Sequence, residues 1–77
     1  MDKADLLARI TIEPGKMGGK PCIRGMRLRV KDILEMLAAG ASRSGVLESY
    51  PDLEDEDISA ALVYASRASD IHIIAAE

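Results

Sequence analysis

A single cysteine, Cys22, in a chain of 77 residues decides which supports are open to this fold. Chains this short bury roughly 60% of their unfolded surface, and their cores alone supply only about 3–5 kcal/mol. Disulfides, a structural metal or a partner chain usually make up the difference. One cysteine excludes a disulfide within the chain. The only histidine, His72, stands fifty residues from Cys22, and neither has ligand spacing around it, so no metal or other cofactor is expected. A second chain remains, and the expectation is a homodimer, a higher oligomer or a complex with another protein.

Composition removes further classes. Two tyrosines are the whole aromatic inventory, which leaves no platform for stacking single-stranded bases. No run approaches the roughly 20 apolar residues that cross a bilayer, and no membrane partner is expected. The opening Met1-Asp2-Lys3-Ala4-Asp5-Leu6-Leu7 carries acids and no apolar stretch of export type. With a free thiol, this points to the cytoplasm. An enzyme is not expected, for no nucleophile–base pair, metal set or cofactor loop is visible. Gly18, Gly19 and Gly25 with Lys20 do not form a phosphate cradle, because Pro21 follows Lys20 where Ser or Thr should open a helix.

The chain reads as one domain over residues 1–77, with a fraying helical turn over 2–8. Arg9-Ile10-Thr11-Ile12-Glu13 alternates polar with β-branched residues and predicts a short strand, which Pro14-Gly15 breaks. Gly18 to Gly25 predicts a loop. Met26-Arg27-Leu28-Arg29-Val30 alternates again and predicts a second strand, with Leu28 and Val30 on one face. Residues 9–30 thus form a strand-loop-strand unit. Three helices follow over 31–69. The first runs from Lys31 to Ala39, with Ile33, Leu34, Leu37 and Ala38 inward and Gly40 as its stop. The second runs from Arg43 to Ser49 under a Ser42 cap, with Val46, Leu47 and Tyr50 on its inner face. The third runs from Glu54 to Ser69, with Ile58, Ala61, Leu62 and Ala65 inward. The predicted class is mainly α: a homeodomain-like trihelical, helix-turn-helix core preceded by two short β-strands. Residues 70–77 form an apolar tail.

Net charge is −3, unevenly spread. Lys16, Lys20, Arg24, Arg27, Arg29 and Lys31 form a positive block without an acid, and Glu48, Asp52, Glu54, Asp55, Glu56 and Asp57 form an acidic block without a base. The first turn of the third helix would enter the major groove in an ordinary helix-turn-helix protein. Here it is acidic and would meet phosphates of like charge. If DNA is bound, the basic loop and strand are the better surface.

The run Arg9 to Gly15, then Gly18-Gly19-Lys20-Pro21-Cys22-Ile23-Arg24-Gly25, then Leu28 and Val30 leading into a leucine-rich helix, resembles the bacterial domain-of-unknown-function family 433. Tyr50-Pro51-Asp52-Leu53, Asp57-Ile58 and Ala60-Ala61-Leu62-Val63-Tyr64-Ala65 are similar to its second signature, so the likeness spans residues 9 to 66. It implies a homeodomain-like core behind short strands. It also implies an antitoxin, because members are often encoded beside PIN-type nuclease toxins. Met26 departs from the commonest pattern, in which Thr is frequent. Gly45 lies inside the second helix at a cost of about 1 kcal/mol relative to Ala, or permits close packing.

The expected function is therefore neutralisation of a nuclease-type toxin, with repression of the chain's own operon as an added role. The alternatives are a stand-alone DNA-binding regulator and a structural dimerisation module. The candidate DNA- or partner-binding residues are Lys16, Lys20, Arg24, Arg27, Arg29 and Lys31. Arg24, Arg27 and Arg29 are the sharpest, since an arginine can pair bidentately with a carboxylate cluster. Ile71, Ile73 and Ile74 are candidates for a partner or dimer contact. No catalytic or metal residue is assigned, and Cys22 reads as a small apolar filler.

Overall fold

Short segments with strong end signals set the element order. The computed structural model of the chain describes residues 1–68. Asp2 accepts a hydrogen bond from the Asp5 amide (2.9 Å) and opens α1, Lys3–Leu7, so a five-residue helix stands where a fraying turn was expected. β1, Ile10–Thr11, and β2, Cys22–Ile23, pair antiparallel with Ile10 opposite Ile23 and Thr11 opposite Cys22. Three helices follow: α2, Val30–Ala38; α3, Arg43–Ser49; and α4, Asp55–Ala68. Among the described residues the architecture is mainly helical, with four helices and one two-stranded antiparallel sheet.

The second strand therefore lies inside the segment predicted as a loop, and Met26–Val30 is not a strand. The reason is a tight reversal at Arg24-Gly25, where both residues have positive φ (45° and 74°) and the Met26 amide donates to the Ile23 carbonyl (2.7 Å). This folds 26–29 back on β2, where Arg29 makes an isolated bridge with Cys22. The alternation read from the sequence survives as burial: Leu28 and Val30 are buried, Arg27 is exposed and Arg29 is half-buried. α2 begins one residue earlier than expected because the Asp32 carboxylate accepts from the Arg29 amide (2.9 Å), fixing Arg29 as the cap.

α2 is stopped by Gly40, two residues past its last turn, whose φ of +100° favours glycine. The Gly40 amide reaches the Leu37 carbonyl and the Ala41 amide the Met36 carbonyl, both at 3.0 Å, closing the double reverse bond of a glycine-terminated helix. Ser42 caps α3 through the Gly45 amide (3.0 Å). Arg43 then crosses to α4, donating to Asp55 (2.8 and 2.9 Å) and to the Ser59 hydroxyl (2.7 Å).

The core gathers Ile23, Leu28, Val30, Ile33, Val46, Leu53, Ile58 and Ala61. Ile23, Ile33, Val46 and Ile58 have no exposed surface, which stabilises the fold by about 1.5–3 kcal/mol per side chain relative to exposure. The predicted helical stripes are buried or half-buried, with three exceptions. Tyr50 and Leu62 are exposed, and so is Ala38. Cys22 is buried, 1% exposed, its thiol directed to the Lys20 carbonyl (3.3 Å).

Candidate functional site

The basic block divides by what each cation touches. Arg24 leaves the β2 turn and reaches Asp57 in the first turn of α4. Its Nε lies 3.0 Å from Oδ1 and its Nη2 lies 2.8 Å from Oδ2, a two-pronged pair. Nη2 also donates to the Asp52 carbonyl (2.8 Å). Arg9, just beyond α1, donates to Asp57 Oδ1 (2.9 Å) and Glu54 Oε1 (2.7 Å). The Glu54 amide donates to Asp57 Oδ2 (2.8 Å). Asp57 has no exposed surface, yet both its oxygens are fully engaged.

Burial pushes the Asp57 carboxyl up, but bonds from Arg24, the Glu54 amide and Arg9 outweigh it and hold it below the ordinary carboxylate range. Arg24 pays a conformational cost to be there. A φ of +45° disfavours a side-chain-bearing residue by about 1–2 kcal/mol, and Gly25 shares the turn at +74°. Arg24 thus fastens the ribbon to α4, and the positive and acidic blocks, expected as separate patches, meet here within one chain.

Arg29 is similarly engaged. It grips Asp32 with Nε at 3.1 Å and Nη2 at 2.7 Å. The bonds from Arg29 lower the Asp32 carboxyl against the opposing effect of burial. Lys16 donates to the Gly25 carbonyl and lies 3.7 Å from Glu13, and Lys31 lies 3.8 Å from Glu35 across an exposed helix face. Among the described residues, Lys20 and Arg27 form no ion pair, and both are exposed.

Arg27 borders a groove of about 380 Å3 with Met26, Leu28, Tyr50, Pro51 and Leu53. It lies between the reversal after β2 and the α3–α4 connection. Tyr50 is 40% exposed there. This site joins the two segments that carried the sequence likeness. The sequence did not single out Tyr50 as a surface residue, because its spacing from Val46 placed it on the inner helical face. Pro51 is the signal that α3 ends and the ring turns away.

A second groove has a volume of about 370 Å3. Lys20, Arg29 and Lys31 edge it, and Leu34, Tyr64 and Ala68 are among the residues that line it. Ile71, Ile73 and Ile74 lie outside the described residues. Among the described residues, no three of His, Cys, Asp and Glu come together to hold a metal ion, and no helix is long and apolar enough to cross a membrane.

A ribbon locked to a short helical bundle by a buried carboxylate, with exposed arginine and tyrosine in one groove, defines a small mainly helical domain. Residues 10–65 match the family described as "Protein of unknown function (DUF433)", and the chain belongs to that family. It is 41% identical over 56 residues to "Uncharacterized protein y4eO" of Sinorhizobium fredii, covering 73% of this chain and 25% of that protein. A crystal structure of a DUF433 member from Anabaena variabilis is similar with a TM-score of 0.75 and 36% identity, covering 83% of this chain and 63% of that one. The chain thus spans a quarter of the first relative's length and less than two thirds of the second's.

Proposed function

We propose that this chain is the antitoxin-like member of a bacterial toxin–antitoxin pair, binding a PIN-type nuclease through the Arg27–Tyr50 groove. The observation that carries this reading is the state of Arg27. It is the arginine of the basic block that is exposed and has no carboxylate partner among the described residues, whereas Arg24 and Arg29 are held by Asp57 and Asp32. A bidentate pairing with a nuclease's metal-binding carboxylates therefore falls to Arg27. Tyr50 beside it supplies the rigid aromatic surface on which binding energy concentrates. The proposal includes a homeodomain-like arrangement of α2, α3 and α4, and association of the chain as an oligomer or with its toxin.

Repression of its own operon is an added part of the reading, favoured by the exposed Lys20, Arg27 and Lys31 rather than by α4. The first turn of α4 exposes Asp55 and Glu56, which repel phosphate. Two copies presenting these three cations would neutralise about six phosphates and lose roughly a thousandfold in affinity between 50 and 200 mM salt.

The test is to express the product of the neighbouring reading frame and measure whether this chain inhibits RNA cleavage by it. The wild-type chain is expected to suppress cleavage, and Arg27→Glu and Tyr50→Ala to lose suppression while retaining the native circular dichroism spectrum. Full suppression by Arg27→Glu, or none by the wild-type chain, contradicts the proposal.

A further inference from the structure

The two sides of the small sheet differ. β2 is covered on its far side, where the Ile23 amide donates to the Leu28 carbonyl and the Val30 amide to the Pro21 carbonyl, both at 3.0 Å. β1 is the edge on the other side. The Arg24 amide donates to the Arg9 carbonyl (2.7 Å), which makes Arg9 and Arg24 a hydrogen-bonded rung. Antiparallel alternation then makes Thr11 and Cys22 the next bonded rung, so Ile10 and Ile12 turn their N–H and C=O groups away from β2. Among the described residues no hydrogen bond reaches those groups. Ile12 is also 57% exposed. An open edge carrying an exposed isoleucine is a template for another strand.

We propose that β1 pairs antiparallel with β1 of a second copy, about a twofold axis at Thr11. The sequence Arg9-Ile10-Thr11-Ile12-Glu13 is self-complementary in that register. Ile10 stands opposite Ile12 of the second copy, and Arg9 stands opposite its Glu13 at both ends. Opposite charges and paired β-branched residues are the cross-strand neighbours that stabilise sheets. The backbone agrees with this register. Ile10 and Ile12 form the bonded rungs, each exchanging two N–H···O bonds, and Thr11 meets its own copy in the close rung, with α carbons about 4.5 Å apart. Pro14, which has no amide to donate, ends the pairing beyond Glu13. The product is one four-stranded sheet. It assigns a surface to self-association and does not depend on the nuclease reading, because the Arg27–Tyr50 groove shares no residue with it.

The experiment uses the full chain. Sedimentation velocity from micromolar to millimolar concentration reads the oligomer, and a sample mixing isotope-labelled and unlabelled chains reads nuclear Overhauser contacts between molecules. The expected result is a dimer with a contact between the Thr11 α protons of the two copies. Ile12→Pro removes a donor that faces outward, a change an edge strand tolerates, and is expected to sediment as a monomer with the Ile33 and Ile58 methyl shifts unchanged. Glu13→Lys sets like charges opposite each other at an exposed position and is expected to weaken the dimer about tenfold. It decides the matter if Ile12→Pro loses the core shifts. A monomeric wild-type chain at millimolar concentration overturns the proposal, as does a dimer without the Thr11 contact. Wild-type dimerisation by a folded Ile12→Pro or by Glu13→Lys also overturns it.

Discussion

Replacing Asp57 with Asn removes one charge and almost no volume, so it isolates what the buried carboxylate contributes. The wild-type oxygens accept from Arg9, from Arg24 through two nitrogens, and from the Glu54 amide, all at 2.8–3.2 Å. An asparagine offers one acceptor oxygen and one NH2 donor. In either orientation the NH2 faces nitrogen donors: Arg9 and Arg24 on the Oδ1 side, or Arg24 and the Glu54 amide on the Oδ2 side. Breaking a buried charge pair by changing one partner costs about 3–5 kcal/mol, and with the NH2 on the Oδ2 side loss of the bond to the Glu54 amide also weakens the start of α4. A domain of this size unfolds in urea with a slope near 1 kcal/mol per molar, so the midpoint should fall by about 3–5 M. Urea denaturation followed by far-ultraviolet circular dichroism reads the shift. Asp55→Asn is the control, because its pair with Arg43 is exposed and such pairs contribute little. A midpoint for Asp57→Asn equal to that of the Asp55→Asn control would refute the reasoning.

Three further outcomes are expected. Asp57, Asp32 and Asp55 all have carboxyls held below their ordinary values, Asp57 by its bonds outweighing burial and the other two foremost by arginine bonds. Depressed folded values mean stability present above the unfolded value of about 3.9 and lost as pH falls through the lower folded values. Urea midpoints should therefore be level above about pH 5 and fall steadily below pH 4, less steeply in Asp57→Asn. Ile33→Ala, at a site with no exposed surface, should lower unfolding free energy by about 2–5 kcal/mol, read by the same denaturation. Gly25→Ala should cost about 1–2 kcal/mol from its positive φ, with the added methyl only in ordinary contact with Glu13 (3.5 Å).

The helices were legible because their ends are local chemistry. Ser42, Gly40 and Pro51 each act within a turn of where they stand, and α3 falls where the cap and the proline place it. The ribbon was not legible in the same way. Its second strand is two residues long, too short for alternation to show, and what fixes it is the reversal at Arg24-Gly25. Asparagine-glycine is the usual pair for two successive positive φ values. An arginine in that place signals a side chain retained for a distant contact, and its partner lies 33 residues away. Asp57 stands three residues after Glu54, the spacing of a helix-capping carboxylate, but spacing cannot show that Arg9 and Arg24 converge there. The positive block therefore looked uniform in sequence while the fold separates it into locking and exposed cations. Gly45 has a similar lesson. A methyl there would lie 3.3 Å from the Ser42 hydroxyl, the same group that caps α3.

Arg24 belongs to the fold and Arg27 to its surface, and that division is tested most directly by the urea midpoints of Arg24→Ala and Arg27→Ala measured side by side. Arg24→Ala should unfold at clearly lower urea than the wild-type chain, and Arg27→Ala should coincide with it. Equal midpoints for the two variants, or a lower one for Arg27→Ala, would contradict the account.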